Sequence, residues 1–454
     1  MIKKAVFLFA LCILSAYVSY AGPVSYYGKL KAHGKYLVGS RTGDDIAVQL
    51  RGVSLGWSNS SWESADFFNS ATVNAMVDGW KAEIIRVPMG SDNKSGVKTA
   101  INAAIAQDVY VVIDWHTHDA NSSNAATFFR EMAQEFGSKD HVIFEIFNEP
   151  LAVSWSTIKN YANVVIDTIR KYSDNLILVG TPNWSQNVDV VVGDAISGNN
   201  RGNIAYVLHF YAGTHSLTSY TASGGGNASK QFRTAINTVL NADLPIFVTE
   251  YGTVTSDGGL NSDGNYNTHK PTTADAWHTF MDQNCISSCA WQVNDKYEGS
   301  AFFGTNSGTW KGGNRFNQTA QNFVNKNMMT ESGKYIYDKL VGYGSSAPWR
   351  TDNGGCKYIG SSSSVSSSSG GSSPIFMHPQ IAAVNSATVA KNSINLAAKN
   401  NAVVEVFGLR GNSMRRYNFA NGIYTVSLSD LPKGLYIVKI SFGSEKKILR
   451  VPIN

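Results

Sequence analysis

Eight short runs of β-branched and other apolar residues recur between residues 48 and 295: VQLRGVSLGW, EIIRVPMG, VYVVIDWH, VIFEIFNE, NLILVGTPNW, IAYVLHFY, PIFVTEYG and SSCAWQVND. Each has the length of one strand. Most are apolar at successive rather than alternate positions, the pattern of strands covered on both faces. Between them lie segments of helical spacing or composition, such as AATFFREMAQEFG and WSTIKNYANVVIDTIRKY, the second placing Ile158, Tyr161, Val165 and Ile169 on one face. Strands alternating with helices imply a parallel sheet, and eight such units imply that the sheet closes. The expected fold class is therefore α/β, a (β/α)8 TIM barrel. An open doubly wound sheet is the alternative, but no GxGxxG follows the first strand to favour it.

The chain has 454 residues, more than one such barrel requires. Residues 361–373, SSSSVSSSSGGSS, have nothing to bury and read as a flexible linker. Upstream, Lys3 and Lys4 precede a short apolar run that ends in small residues at Ser19 and Ala21, a secretory signal cut after Ala21. The competing reading, an N-terminal membrane anchor, needs a longer run. The expected units are a signal peptide (1–21), a catalytic barrel (22–355), a Ser/Gly-rich linker (356–373) and a small basic domain (374–454). In the last of these, apolar and polar residues alternate between Gly- and Asn-containing turns, which predicts a small all-β, sandwich-like domain.

Charge separates the two halves. From Pro374 onward there are ten Lys or Arg against three Asp or Glu, although the whole chain carries only +5. The large domain is thus mildly acidic and has no nucleic-acid footprint, whereas the basic tail suits an acidic polymer or a cell envelope. Cys285, Cys289 and Cys356 remain once the signal is removed, enough for one disulfide and one free thiol, and a Cys285–Cys289 pair is favoured over the others.

In a parallel barrel the functional groups come from the carboxyl ends of the strands. Here those ends are Arg86, Asp114 with His116, Asn148 with Glu149, Asn183 with Trp184, His209 with Tyr211, Glu250, and Trp291. Glutamates close the fourth and seventh runs. Two carboxyl groups facing one another suit glycoside hydrolysis, in which one protonates the leaving oxygen while the other attacks or activates water. A single strand-end glutamate is more often a salt-bridge residue, and Glu131 and Glu135, on a helical segment, fall in that class. Trp57, Trp62, Trp184 and Trp291 follow or end strands and offer flat surfaces for sugar rings, with core packing as the alternative for each. His116 and His118 form an HxH pair open to a metal, yet the later strands lack the further ligands such a site needs, so no metal and no cofactor is expected. Residues 256–267, SDGGLNSDGNYN, miss the spacing of a calcium loop.

LRGVSLGW, IIRVPMG, VVIDWH, IFEIFNEP, LVGTPNWSQNVD, LHFYAGTH, FVTEYGT and WQVNDK, in that order over about residues 45–300, resemble glycoside hydrolase family 5, and within it the bacterial endo-β-1,4-glucanases, or cellulases. The resemblance implies a retaining reaction on β-glucan, with Glu149 as acid/base and Glu250 as nucleophile. It also implies support from Arg86, His116, Asn148, His209 and Tyr211, and sugar contacts from Trp57, Trp62, His118, Trp184, Trp291, Lys296 and Glu298. The chemistry agrees: Asn148 can hold a sugar hydroxyl and orient Glu149, and Tyr211 and Arg86 can hydrogen-bond Glu250. The charge of Glu250 is expected to raise the pKa of Glu149. The same glutamates serve mannan, xyloglucan and mixed-linkage glucan, and a glycan-binding protein without catalysis is the rival from another class.

Tyr251 stands where many relatives carry Trp, and the loop from Asp257 to Thr268 looks longer than is common. Residues 24–50 match the short hairpin with which the family closes its barrel floor. The tail, with VEVFGLRG, LPKGLYIVKI and ILRVPI, resembles the sorting domains of proteins exported by the type IX route, with a carbohydrate-binding module as the competing reading. A secreted or surface-attached monomer, with the secretion machinery or a cell-surface partner for its tail, is the resulting expectation.

Overall fold

The computed structural model describes residues 22–199, 201–221, 230–256, 258–259, 268–304, 315–343 and 356–358, and in the tail 375–378, 386–390, 393–398, 402–408, 413–419, 422–428, 431–442 and 445–453. The expected signal, the Ser/Gly segment 361–373 and most of the loop 257–267 lie outside them.

The eight apolar runs form eight strands: Arg51–Leu55, Ile84–Met89, Tyr110–Trp115, Val142–Glu145, Ile177–Val179, Ile204–Tyr211, Ile246–Gly252 and Ser287–Val293. They pair in parallel with their sequence neighbours, and the eighth returns to the first, closing the barrel. Helices cover the outside. In the helix Trp155–Ile169, Ser154 caps the first turn by accepting from the Thr157 amide, and Ile158, Tyr161, Val165 and Ile169 are buried as the spacing predicts.

Inside the barrel, strand alternation stacks side chains in layers. The lower layers are apolar: Ile84, Tyr110, Val112, Ile143, Leu178, Val207 and Phe247 pack with Val24, Tyr27, Leu30 and Leu37 from the bottom of the molecule. Those last residues belong to a short helix, Pro23–Tyr27, and to an antiparallel sheet of Leu30–His33, Tyr36–Gly39 and Gly43–Ala47 that plugs the amino-terminal mouth. Two positions further along the same strand faces the residues become Arg86, Asp114, Glu145 and His209, so the charged layer lies above a dry plug.

The cysteine pairing differs from expectation. Cys285 joins Cys356, with Cα atoms 5.3 Å apart, and Cys289 is a buried free thiol. Cys289 faces the barrel interior from the eighth strand, whereas Cys285 follows a helix outside it, so the two point to different compartments. Residues 356–358 accordingly do not behave as linker: Lys357–Tyr358 pair with Gly43–Ala47 as a fourth floor strand.

The described residues of the tail form two four-stranded antiparallel sheets. One orders Ile375–His378, Gly422–Ser427, Ser393–Ala398 and Ser386–Ala390, and the other Ser413–Phe419, Ala402–Gly408, Gly434–Phe442 and Glu445–Ile453. They enclose a separate apolar core that includes Ile394, Val404, Val426, Val438 and Val451.

Candidate active site

Arg86 organises the mouth of the barrel. Fully buried, it donates from Nε and Nη2 to both oxygens of Glu145 (2.7 and 3.1 Å), from Nη1 to Oε2 of Glu250 (2.9 Å), and from Nη2 to Oδ1 of Asn148 (2.6 Å). Its Nη2 also lies 3.0 Å from Asp114. A guanidinium fork suits this task because its donors radiate in one plane toward several acceptors at once. Burial alone would favour the neutral form, but Asp114, Glu145 and Glu250 together push the Arg86 pKa further up.

Glu250 receives the Tyr211 hydroxyl on its other oxygen at 2.6 Å. Burial and the nearby Glu250 and Glu149 carboxylates push the Tyr211 phenol well up, so it stays protonated and donating. An oxygen of Glu250, an oxygen of Glu149 and a ring nitrogen of His209 all lie within 4.8 Å of one another. Those three atoms are also the described group that could hold a divalent ion, in competition with the Arg86 and His209 hydrogen bonds.

A β-bulge explains why two consecutive residues, Thr249 and Glu250, both reach this layer. The pairing steps from Phe247↔Val207 to Glu250↔His209, so the seventh strand carries an extra residue. Thr249 Oγ1 donates to Glu145 Oε1 at 2.7 Å and faces His209 Nε2 at 2.8 Å. With the hydroxyl proton committed to Glu145, Nε2–H of His209 must donate to Thr249, which directs Nδ1 at Glu149 Oε1, 2.9 Å away.

His209 and Glu149 therefore hold a proton between them. Burial lowers the His209 pKa, but Glu145, Glu149 and Glu250 outweigh it and raise it to about 9. For Glu149, burial favours the neutral acid, yet the contact with His209 prevails and lowers its pKa. This corrects the expectation that Glu250 raises it: the group touching Glu149 is an imidazole, not the second carboxylate. Between these two titrations one proton is shared by the pair, and it leaves as pH rises through the His209 value. Glu145→Gln removes a charge that holds this proton, so the alkaline limb of kcat/KM should move to lower pH. A pH–rate profile with an unchanged limb would contradict the pairing.

His116 is held differently. Its Nδ1 lies 2.7 Å from Asp114, while burial and Arg86 lower its pKa to about 3, so it is neutral with Nε2 available as an acceptor. Its ring stacks on Trp291 and meets Trp57 edge-on. Trp57 and Trp62 stack on each other at 5.1 Å, Lys296 Nζ sits 4.1 Å from the Trp62 ring centre, and Lys296 pairs with Glu298 at 2.7 Å. Glu298 is in turn held by the amide of Gln292 and the Ser300 hydroxyl. His118 rests on the Glu149 carbonyl at 3.0 Å. Trp184, 43 % exposed, lines a cavity together with Glu149, Gln186, Tyr211 and Glu250.

Of the sequence-derived residues, Glu149, Trp184, His209, Tyr211 and Glu250 line one cavity, while Trp57, Trp62, Trp291, Lys296 and Glu298 form a cluster joined through His116. Glu145 and Thr249 were missed. Glu145 is hidden inside the run VIFEIF, and its only sequence signal is an unexplained charge at the strand parity of Arg86; Thr249 has none without the bulge. Glu131 pairs with Lys94 and Lys98, and Glu135 with Lys98, on the outer helices.

Residues 40–297 match the family model described as Cellulase (glycosyl hydrolase family 5), and residues 390–454 match the Secretion system C-terminal sorting domain. The latter marks the protein for secretion or the cell surface. Endoglucanase Z of Dickeya dadantii is 44% identical over 274 residues, 57% of this chain and 58% of the relative. Endoglucanase A of Butyrivibrio fibrisolvens is 36% identical over 61% of this chain and 63% of its own, so the chain spans less than two thirds of either. An endoglucanase of Clostridium saccharobutylicum is 33% identical over 69% and 67% respectively. Among solved structures, the catalytic domain of Thermobifida fusca endoglucanase Cel5A superposes with a TM-score of 0.56 at 29% identity, covering 70% of this chain and 99% of that one.

Proposed function

The chain belongs to glycosyl hydrolase family 5, and on that premise we propose that it is a secreted endo-β-1,4-glucanase that cuts internal bonds of cellulose and related β-glucans with retention of configuration. The observation that carries the mechanism is the approach of the two carboxylates within 4.8 Å, each with its own partners. Retaining enzymes hold their pair about 5–5.5 Å apart, whereas inverting enzymes leave about 6.5–9.5 Å for a water. The short gap favours direct attack.

Glu250 then acts as nucleophile. Arg86 and Tyr211 take one oxygen each, fixing the carboxylate plane while leaving in-plane lone pairs toward the cleft. Glu149 protonates the departing oxygen with the proton it shares with His209, and in the second step takes one from the attacking water. Passing the proton to and from His209 lets one carboxyl group serve both steps. The Oδ1 of Asn148 is occupied by Arg86, so its amide is the part suited to a sugar hydroxyl. Trp57, Trp62, Trp291, Lys296 and Glu298 would hold sugars on one side of the cut and Trp184 on the other. Residues 22–358 form the catalytic unit in this reading, and 374–454 engage the export machinery or cell surface.

The test is reducing-end release from carboxymethyl-cellulose, mixed-linkage glucan, mannan and xyloglucan, with the anomer of the first product read by NMR. Rapid release from carboxymethyl-cellulose as the β-anomer is expected. Activity on mannan or xyloglucan alone would reassign the substrate, and an α-anomer would replace double displacement by inversion.

A further inference from the structure

Three consecutive non-glycine residues, Asn183, Trp184 and Ser185, have φ of 56°, 55° and 55°. The left-handed region is uncommon for any one of them, and bulky Trp least expected there, so the surroundings must impose it. What imposes it is the exit of the neighbouring fourth strand. The Asn183 amide donates to the Leu151 carbonyl at 3.0 Å, and the Trp184 amide to the Pro150 carbonyl at 2.9 Å. The Ser185 hydroxyl donates to the Asn148 carbonyl at 2.9 Å and accepts from the Thr181 amide at 3.3 Å.

The two segments also touch backbone to backbone. A Cβ on Gly180 would lie 2.2 Å from the Phe147 carbonyl oxygen and 2.9 Å from Pro150, so no side chain fits. From the opposite side, the Glu149 amide donates to the Thr117 carbonyl at 3.3 Å. Glu149 is thus the one residue of the stretch 148–151 that the turn does not grip, and its backbone is pinned on both flanks.

We propose that Ser185 is a positioning residue for proton delivery: the left-handed turn 183–185 clasps residues 148–151, so the carboxyl of Glu149 and the ring of Trp184 move as one body. This inference rests on the reading of Glu149 as acid and Trp184 as the platform beneath the departing sugar. A leaving oxygen seated on Trp184 then meets the acid at a fixed distance, which general acid catalysis requires because an error near 1 Å can cost about a hundredfold. Ser185 touches neither sugar nor proton. Its hydroxyl ties the turn to the residue before the acid.

The test compares kcat/KM for aryl β-cellobiosides whose leaving groups range from dinitrophenol, which departs unprotonated, to phenol, which needs the proton. Ser185→Ala should lower the phenyl rate about tenfold to a hundredfold while leaving the dinitrophenyl rate within about twofold. Ser185→Gly, which the positive φ accommodates, should do the same and carries the test if the alanine variant does not fold. Equal losses on all leaving groups, accompanied by a lower melting temperature, would reduce Ser185 to a structural role and overturn the proposal. Glu149→Ala is the control. If it too shows no leaving-group dependence, the acid assignment itself fails; if it shows a steep one and Ser185→Ala none, only the clasp is refuted.

Discussion

Glu250→Gln is expected to lower turnover of a β-1,4-glucan by at least about a thousandfold, the scale on which the loss of a covalent nucleophile is felt, while changing affinity for the chain little. Glutamine keeps the shape of the side chain and can still accept from Arg86 or Tyr211, so the sugar contacts at Trp57, Trp62, Trp184 and Trp291 survive. What disappears is the anionic oxygen that attacks. Direct binding of cello-oligosaccharides, by calorimetry or gel retardation, separates the two terms. A variant that retained even a tenth of the activity would remove Glu250 from the covalent step. A companion experiment uses Glu250→Ala with azide, which fits the space vacated by the carboxylate; an α-glycosyl azide as product would identify the face from which Glu250 attacks.

Arg86→Met should give the largest loss of stability, about 3–5 kcal/mol, the range found when one partner is removed from a buried ionic cluster. Methionine approximates the stem but removes the guanidinium that Glu145, Asp114 and Glu250 share. The pH dependence distinguishes this cause from a packing defect. Although burial opposes its ionisation, Glu145 has its pKa lowered to about 2 from the ordinary 4.5, with Arg86 the main opposing influence. A depressed carboxylate contributes stability above its unfolded value and loses it as pH falls toward the folded one. That contribution is missing in Arg86→Met, so the gap between native and variant should be widest above about pH 4.5 and narrow on acidification toward 2. Denaturant unfolding at several pH values measures it, and a gap independent of pH would point to packing instead.

Much of the site was legible because it lies where barrel geometry puts sites. Glu149, His209 and Glu250 each sit at the end of an apolar run, and a closed parallel sheet brings all strand ends to one rim. Glu145 was not legible for the converse reason. It lies inside its run, and only the parity shared with Arg86 places it in the charged layer. The pKa direction of Glu149 was misjudged because sequence supplies which charges are present, not which one lies 2.9 Å away. The cysteines repeat the lesson. Only three residues lie between Cys285 and Cys289, but a helix end and a strand interior face different compartments, and the partner came from 71 residues away.

Local pattern alone therefore determined the strand–helix alternation, the closure of the barrel, the two glutamates at its rim and the separate basic β domain, since each depends on periodicity and on where apolar runs stop. Tertiary structure decided the rest: the bulge that turns Thr249 and Glu250 inward together, the chain of hydrogen bonds from Glu145 through Thr249 to His209, and the left-handed clasp around Glu149. These depend on which backbone atoms meet across neighbouring strands. Such meetings are set by register and packing after the barrel closes, and no single stretch of sequence carries them.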